Sequence, residues 1–205
     1  MKQKATFITL EGIDGSGKST IIKHLSKLLK SEKANYLITR EPGGSAFGNK
    51  LRKLILSSSH IKHPLTHPLL FYAARAEHIE MTIKPALSQG TMVICDRFHD
   101  ASHAYQAVHH NLDKHLKTLD QWIVADIQPD LTLFLDAPVE LCFKRIAKRR
   151  KLDTFDQQDK TFYESVRSRY LARAHNDPER IKIIDASQSI AQVCHACYHA
   201  IQPWL

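Results

Sequence analysis

A chain of 205 residues with 43% hydrophobic content is long enough for one well-buried core and short for two, so a single domain over 1–205 is expected. Its 29 lysines and arginines against 21 acids give a formal charge of +8, which permits nucleic-acid binding and equally suits an enzyme whose ligands are all phosphorylated. The apolar run after Lys2 and Lys4 is six residues long and alternates with threonine, too little for a signal peptide or a membrane span, and a cytoplasmic protein is expected.

The first element is a strand over 5–10, Ala5-Thr6-Phe7-Ile8-Thr9-Leu10. A helix over 18–31 follows, with apolar residues at Ile21, Ile22, Leu25, Leu28 and Leu29 marking one buried face. Between them Gly12-Ile13-Asp14-Gly15-Ser16-Gly17-Lys18-Ser19 is a complete G-x-x-x-x-G-K-[ST] loop. Its glycines allow successive N–H groups to turn inward around a β-phosphate at the positive end of the helix. Lys18 reaches the β- and γ-phosphates, and the hydroxyl of Ser19, or less readily Thr20, faces a bridging magnesium ion. The chain is therefore expected to use a nucleoside triphosphate.

A second strand, 35–39, leads into Arg40-Glu41-Pro42-Gly43-Gly44; helices are predicted over 46–57 and 66–88. A third strand, 91–95, ends at Asp96-Arg97, followed by helices over 100–109 and 113–126. Strand 131–135, helices 138–149 and 157–175, strand 181–184 and helix 189–202 complete the chain. This alternation predicts a five-stranded parallel sheet covered by helices on both faces, with ligands beyond the carboxyl ends of the strands. Arg40, Asp96 and Arg97 then surround one crevice facing the glycine loop.

Cys194-His195-Ala-Cys197-Tyr-His199 has the look of a metal cluster, but Ile190, Val193, Cys197 and Ile201 recur at helical spacing, which makes Cys197 a core residue. The four cysteines are expected as reduced thiols. His60, His63, His67, His109 and His110 lack tetrahedral ligand spacing and receive no role. The cluster Lys144, Arg145, Lys148, Arg149, Arg150, Lys151 is either a solvated helix end, a nucleic-acid patch or part of the site.

Taken in order, Gly12–Ser19, Thr39-Arg40-Glu41-Pro42-Gly43-Gly44, Phe71-Tyr72-Ala73-Ala74-Arg75, Asp96-Arg97 and Ala104-Tyr105-Gln106 resemble the bacterial thymidylate kinases. The resemblance implies a three-layer α/β fold of the P-loop NTPase type with a small lid at about 144–157. It implies magnesium-ATP and dTMP as substrates, no nucleic acid or membrane as partner, and a homodimer. On the family's pattern Phe71 stacks on thymine, Arg75 and Ser102 meet its polar edge, and Tyr105 crowds the sugar 2′ position. Asp14 lies near the 3′-hydroxyl, Arg97 and Arg40 hold the acceptor phosphate, and Asp96 reaches magnesium through water. With Gly15 where some members carry a loop arginine, Arg145 and Arg149 would supply that charge from the lid. Two positions depart from the pattern: Ala101 replaces a serine near the base, and Thr154 replaces a lid arginine whose charge Arg150 or Lys151 would supply.

Two other readings stay open on the residues alone. One is a phosphotransferase of this fold acting on another nucleoside monophosphate or a small hydroxylated metabolite, with Asp14 or Asp96 as base. The other is a nucleotide-gated binding module associated with nucleic acid.

Overall fold

Strands β1 (Phe7–Glu11), β2 (Tyr36–Arg40), β3 (Met92–Asp96), β4 (Leu131–Asp136) and β5 (Ile181–Asp185) form one sheet in the order β2-β3-β1-β4-β5. Every pairing is parallel. The computed structural model describes residues 5–57, 61–108, 111–147 and 159–205. Helices α1 (Lys18–Ser31), α2 (Ala46–Ser57), α3 (Thr66–His78), α4 (Lys84–Ser88), α5 (His99–Tyr105), α6 (Asp113–Ile123), α7 (Val139–Ile146), α8 (Lys160–Asn176) and α9 (Ile190–Ile201) cover it.

The period of two along each strand divides the core between the sheet's faces. Ile8, Leu10, Met92 and Ile94 pack with Ile21, Leu25 and Leu29 of α1 and with Val193 and Cys197 of α9. The alternate side chains Phe7, Val93 and Cys95 pack with Tyr72, Ile79, Ile83, Phe98 and Leu116. Central strands are thus buried on both sides, which explains why β1 reads as an unbroken apolar run with threonines whose hydroxyls pair internally, Thr9 Oγ1 to Thr132 Oγ1 at 2.7 Å.

All five strands fall within two residues of their expected positions, as do the helix starts except that of α8, which begins at Lys160 rather than 157. The predicted helix over 66–88 is not continuous: a π-helical turn, Ile79–Ile83, separates α3 from α4. Pro85 accounts for it, since it has no N–H for the carbonyl four residues back and its ring crowds that carbonyl. Helix α5 stops at Tyr105 rather than 109, and α6 at Ile123 rather than 126. Ile190 and Leu28, expected in the core, are exposed. Cys197 is fully buried, and all four cysteines are free thiols. No described helix is long and apolar enough to cross a membrane.

One buried charge fixes the helix that builds the site. Asp100, in the first turn of α5, accepts from Arg173 Nε of α8 at 2.7 Å and from Arg180 Nη1 at 2.7 Å. Burial opposes its charge, but His99, Arg173 and Arg180 hold its pKa well below the carboxylate range. The α5 side chains that face the ligand cleft are therefore tied to α8 and to the start of β5.

Candidate active site

A cleft of about 450 Å³ opens beyond the carboxyl ends of β1, β2 and β3, where the register sets Arg40 beside Asp96 and Asp96 beside Leu10. The glycine loop forms its floor. Gly12, Gly15 and Gly17 have φ of 145°, 80° and 105°, in the region that disfavours other residues. Gly15 also allows a close approach, because a Cβ there would lie 2.5 Å from the Cys142 carbonyl oxygen of α7. Lys18 Nζ donates to the Gly12 and Ile13 carbonyls at 3.0 and 3.1 Å, which leaves one of its three donors for a ligand. Burial and the nearby Arg97 lower its pKa, against the pull of Asp14, Asp96 and Glu11. Ser19 lines the cleft, whereas Thr20 is exposed and does not.

Next to the loop, one connected network holds Arg97. Its Nη2 donates to Asp14 Oδ1 at 2.7 Å and to the Tyr105 hydroxyl at 3.0 Å, and its Nη1 lies 3.4 Å from the Tyr170 hydroxyl. The Tyr105 hydroxyl in turn donates to Asp14 Oδ2 and accepts from the Asp14 amide, both at 3.1 Å. Arg97 has a φ of 70°, the left-handed region in a non-glycine residue, and such strain is sustained where surroundings over-determine it. Asp14 is pulled down to about 2: burial pushes its pKa up, and Arg97, then Lys18, outweigh that. Behind Arg97, buried Glu11 accepts from the Phe98 amide and the Tyr170 hydroxyl, each at 2.7 Å.

Burial, reinforced by Asp100, raises Glu11 from an ordinary 4.5 to about 7 against the pull of Arg97. The folded chain thus binds this proton more tightly than the unfolded one. The resulting stabilisation is complete below pH 4.5 and is lost as pH rises through about 7. Urea titrations at pH 6 and pH 8 are expected to show a smaller loss of stability with pH in Glu11→Gln than in the parent chain. An unchanged difference would remove Glu11 as the titrating group.

At the far end of the cleft, Arg75 is 1% exposed and fully committed on one side. Its Nε donates to Glu41 Oε2 at 2.7 Å, and its Nη2 donates to the Phe98 carbonyl and Ser102 Oγ at 3.1 and 3.0 Å. Burial costs this guanidinium, but Glu41, Tyr72 and Asp120 keep it charged, with its pKa raised. Phe71, one turn before Arg75 on α3, lines the cleft beside Ala101, Ser102, Tyr105 and Gln106. Arg75 Nη1, Asp96 Oδ1 and Gln106 Oε1, buried polar atoms of cleft-lining residues, have no hydrogen-bond partner among the described residues. Such groups cost free energy unless a ligand satisfies them.

A family model described as "Thymidylate kinase" matches residues 10–196. A thymidylate kinase of Cupriavidus metallidurans is 46% identical over 192 residues, covering 93% of this chain and 94% of its own. One from Nitrosomonas europaea is 43% identical over 192 residues, 93% of this chain and 89% of its own. One from Pseudomonas syringae pv. syringae is 43% identical over 201 residues, 97% and 95%. The chain belongs to the thymidylate kinase family.

Of the residues that the family pattern points to, the structure brings Asp14, Lys18, Ser19, Arg40, Phe71, Arg75, Asp96, Arg97, Ser102 and Tyr105 to one cleft. Gly12, Ile13 and Ser16 contribute to the loop's shape; the Ile13 side chain is core, and the Ser16 amide closes a turn onto the Ile13 carbonyl at 3.2 Å. Arg145 departs from the expectation of a lid arginine. It lies under the loop, Nη1 donating to the Gly15 and Ser16 carbonyls at 3.5 and 3.4 Å and Nη2 to the Ala186 carbonyl at 3.1 Å, and it does not line the cleft. The cause is its place in the last turn of α7, against which Gly15 packs. Here it pins the loop to the end of β5. Arg149, Arg150, Lys151 and Thr154, and most of the lid, lie outside the described residues.

Residues of the site with no role in the sequence expectations include Glu41, whose carboxylate holds Arg75 and lies 3.1 Å from His78 Nδ1. Gln106, Glu11 and Tyr170 belong with it. His63 and His67, given no role, line the cleft wall. Glu41 and Gln106 stood inside motifs already picked out, so their motif neighbours were the available signal; Tyr170, 73 residues from Arg97, had none.

Proposed function

We infer that the chain transfers the γ-phosphoryl of ATP to dTMP, giving dTDP and ADP in the synthesis of dTTP. Membership of the thymidylate kinase family supports the activity, and one observation supports the choice of base: the unpartnered donor of Arg75 and acceptor of Gln106 beside Phe71. A pyrimidine with a ring carbonyl next to an N–H satisfies both, whereas cytosine presents an amino group to the Arg75 donor. The kcat/KM for dCMP is expected to lie at least about 10⁴-fold below that for dTMP, and that for dUMP about 10–200-fold below, since only one methyl is lost. Comparable values for dCMP and dTMP would overturn the base assignment.

The acceptor oxygen is already anionic, so positioning and charge stabilisation carry the reaction. Asp14 and Tyr105 aim the Arg97 guanidinium, and Tyr170 backs it; we assign Arg97 and the rim residue Arg40 to the acceptor phosphate. Lys18 neutralises charge spreading over the moving phosphoryl group. The fixed Tyr105 ring is assigned to exclude a 2′-hydroxyl. A hydroxyl acceptor would need a base, and a carboxyl held at about 2 and paired with arginine, as Asp14 is, serves poorly. We assign Arg149 to the closed lid.

The donor set also fits magnesium: the Ser19 hydroxyl and the buried, unpartnered Asp96 Oδ1 are hard oxygen groups beside the loop. Bound with the triphosphate, the ion supplies Lewis-acid charge neutralisation.

We further propose a homodimer through α2, α3, the π-helical turn after it and α6, where Phe47, Leu69, Met81 and Trp122 are exposed, Trp122 at 74%. Helix α3 packs against both α2 and α6, so the three helices adjoin, and large exposed apolar side chains on adjoining elements are what an interface uses. Sedimentation is expected to give a dimer at micromolar concentration and a monomer for Met81→Glu combined with Trp122→Glu. A monomeric parent chain would contradict it. Four free thiols suit the cytoplasm, the compartment proposed.

A further inference from the structure

Helix α5 carries a second group of side chains that the phosphoryl-transfer reaction does not use. His99 and His103 stand four residues apart, one turn of helix, and both are 4% exposed. Asp120 of α6 lies against both: its Oδ2 is 2.6 Å from His103 Nε2 and 3.2 Å from His99 Nδ1. Its other oxygen, Oδ1, accepts from the Tyr72 hydroxyl of α3 at 2.6 Å. The far nitrogen of His99, Nε2, is buried and makes no hydrogen bond among the described residues; Asp100 Oδ2 lies 3.8 Å away.

We propose that His99, His103 and Asp120 bind one divalent first-row transition-metal ion, zinc in the first instance, at the junction of α3, α5 and α6. The donor atoms of the three residues all lie within 4.8 Å of one another. A tetrahedral zinc ion with bonds of about 2.0–2.1 Å needs its ligands about 3.3 Å apart. The 3.2 Å separation to His99 is close to that, whereas the 2.6 Å separation to His103 has to open by about 0.7 Å and the two imidazole donors, within 4.8 Å of one another, have to come to the same spacing.

The orphaned nitrogen favours a metal over a plain hydrogen-bond cluster. If neutral His99 donates from Nδ1 to Asp120, Nε2 is left as a bare, buried acceptor facing a carboxylate. Coordination at Nδ1 instead fixes the proton on Nε2, which faces Asp100 Oδ2 at 3.8 Å and needs only a small ring movement to donate to it, the usual carboxylate–histidine–metal arrangement. Tyr72 supplies the matching outer contact on the carboxylate ligand. Two imidazoles and one carboxylate suit zinc, nickel or cobalt and not magnesium, so the site is independent of the ion that accompanies ATP. An occupied site ties α5 to α6 and, through Tyr72, to α3, the helices that carry Ser102, Phe71 and Arg75.

The rival arrangement is an imidazolium at His99 bridging Asp100 and Asp120 with no metal. Untagged, chelator-treated full-length chain without nucleotide is titrated with Co²⁺ and read in the visible d–d region, and with Zn²⁺ by calorimetry. The proposal expects one saturable tetrahedral Co²⁺ per chain, displaced by Zn²⁺, without the near-ultraviolet band of a cobalt–thiolate bond, and a rise in melting temperature with zinc. His103→Gln keeps a donor to Asp120 but removes a ligand, and is expected to weaken uptake at least tenfold and abolish the zinc-dependent melting shift. No saturable uptake by the parent chain overturns the proposal whatever the variant does. So does uptake that persists in His103→Gln, or that carries a thiolate band and disappears in Cys194→Ser/Cys197→Ser.

Discussion

Lys18→Ala is expected to lower turnover about 10³-fold, roughly 4 kcal/mol of transition-state stabilisation, while leaving the melting temperature within a few degrees of the parent. The large kinetic effect follows from geometry. Lys18 is the buried cation at the mouth of the glycine loop, held by the Gly12 and Ile13 carbonyls with a donor to spare. The small stability effect follows from its pairing: the Asp14 carboxylate keeps Arg97 as its partner, so removing the ammonium strands no buried charge. Steady-state rates with saturating magnesium-ATP and dTMP, beside a thermal melt, separate the two. A variant with near-normal kcat would remove Lys18 from the chemistry, and one that does not fold would show the contacts to the loop carbonyls to be structural.

Arg75→Met carries the second large effect and divides it differently. Methionine fills much of the same space but leaves the buried Glu41 carboxylate with His78 alone, at a cost of about 3–5 kcal/mol in stability. The KM for dTMP is expected to rise about 10²-fold or more, because the donor facing the base is gone. Adding Glu41→Gln removes the stranded charge, so the double variant is expected to recover most of the stability and none of the dTMP affinity. Urea unfolding and dTMP titration of both variants decide it. Recovery of both properties together would make Arg75 a structural residue only.

Local patterns were enough to locate most of this site. The glycine loop needs a strand before it and a helix after it, and both show in the apolar spacing of 5–10 and 21–29. Arg40, Asp96 and Arg97 stand at strand ends, and a parallel sheet gathers its strand ends on one side, so their convergence is legible in the sequence. Phe71 and Arg75 share a helix face by spacing alone. What the spacing does not carry is the pairing of distant groups. The family resemblance implies a lid charge at Arg145, yet the carbonyls it meets belong to residues about 130 and 41 positions away. Glu11, Tyr170 and the His99–His103–Asp120 group are likewise defined by contacts across the sheet or between helices. The π turn at Ile79–Ile83 depends on one proline inside an otherwise regular helical pattern, which periodicity averages away.

The central claim is tested most directly by ADP formation from magnesium-ATP, measured with dTMP, dUMP, UMP, dCMP, dGMP or AMP offered separately, with identification of the phosphorylated product and Lys18→Ala as background. The account predicts turnover that requires an acceptor, prefers dTMP and yields dTDP. Preferred turnover with another acceptor, or ATP hydrolysis indifferent to any acceptor, would contradict it.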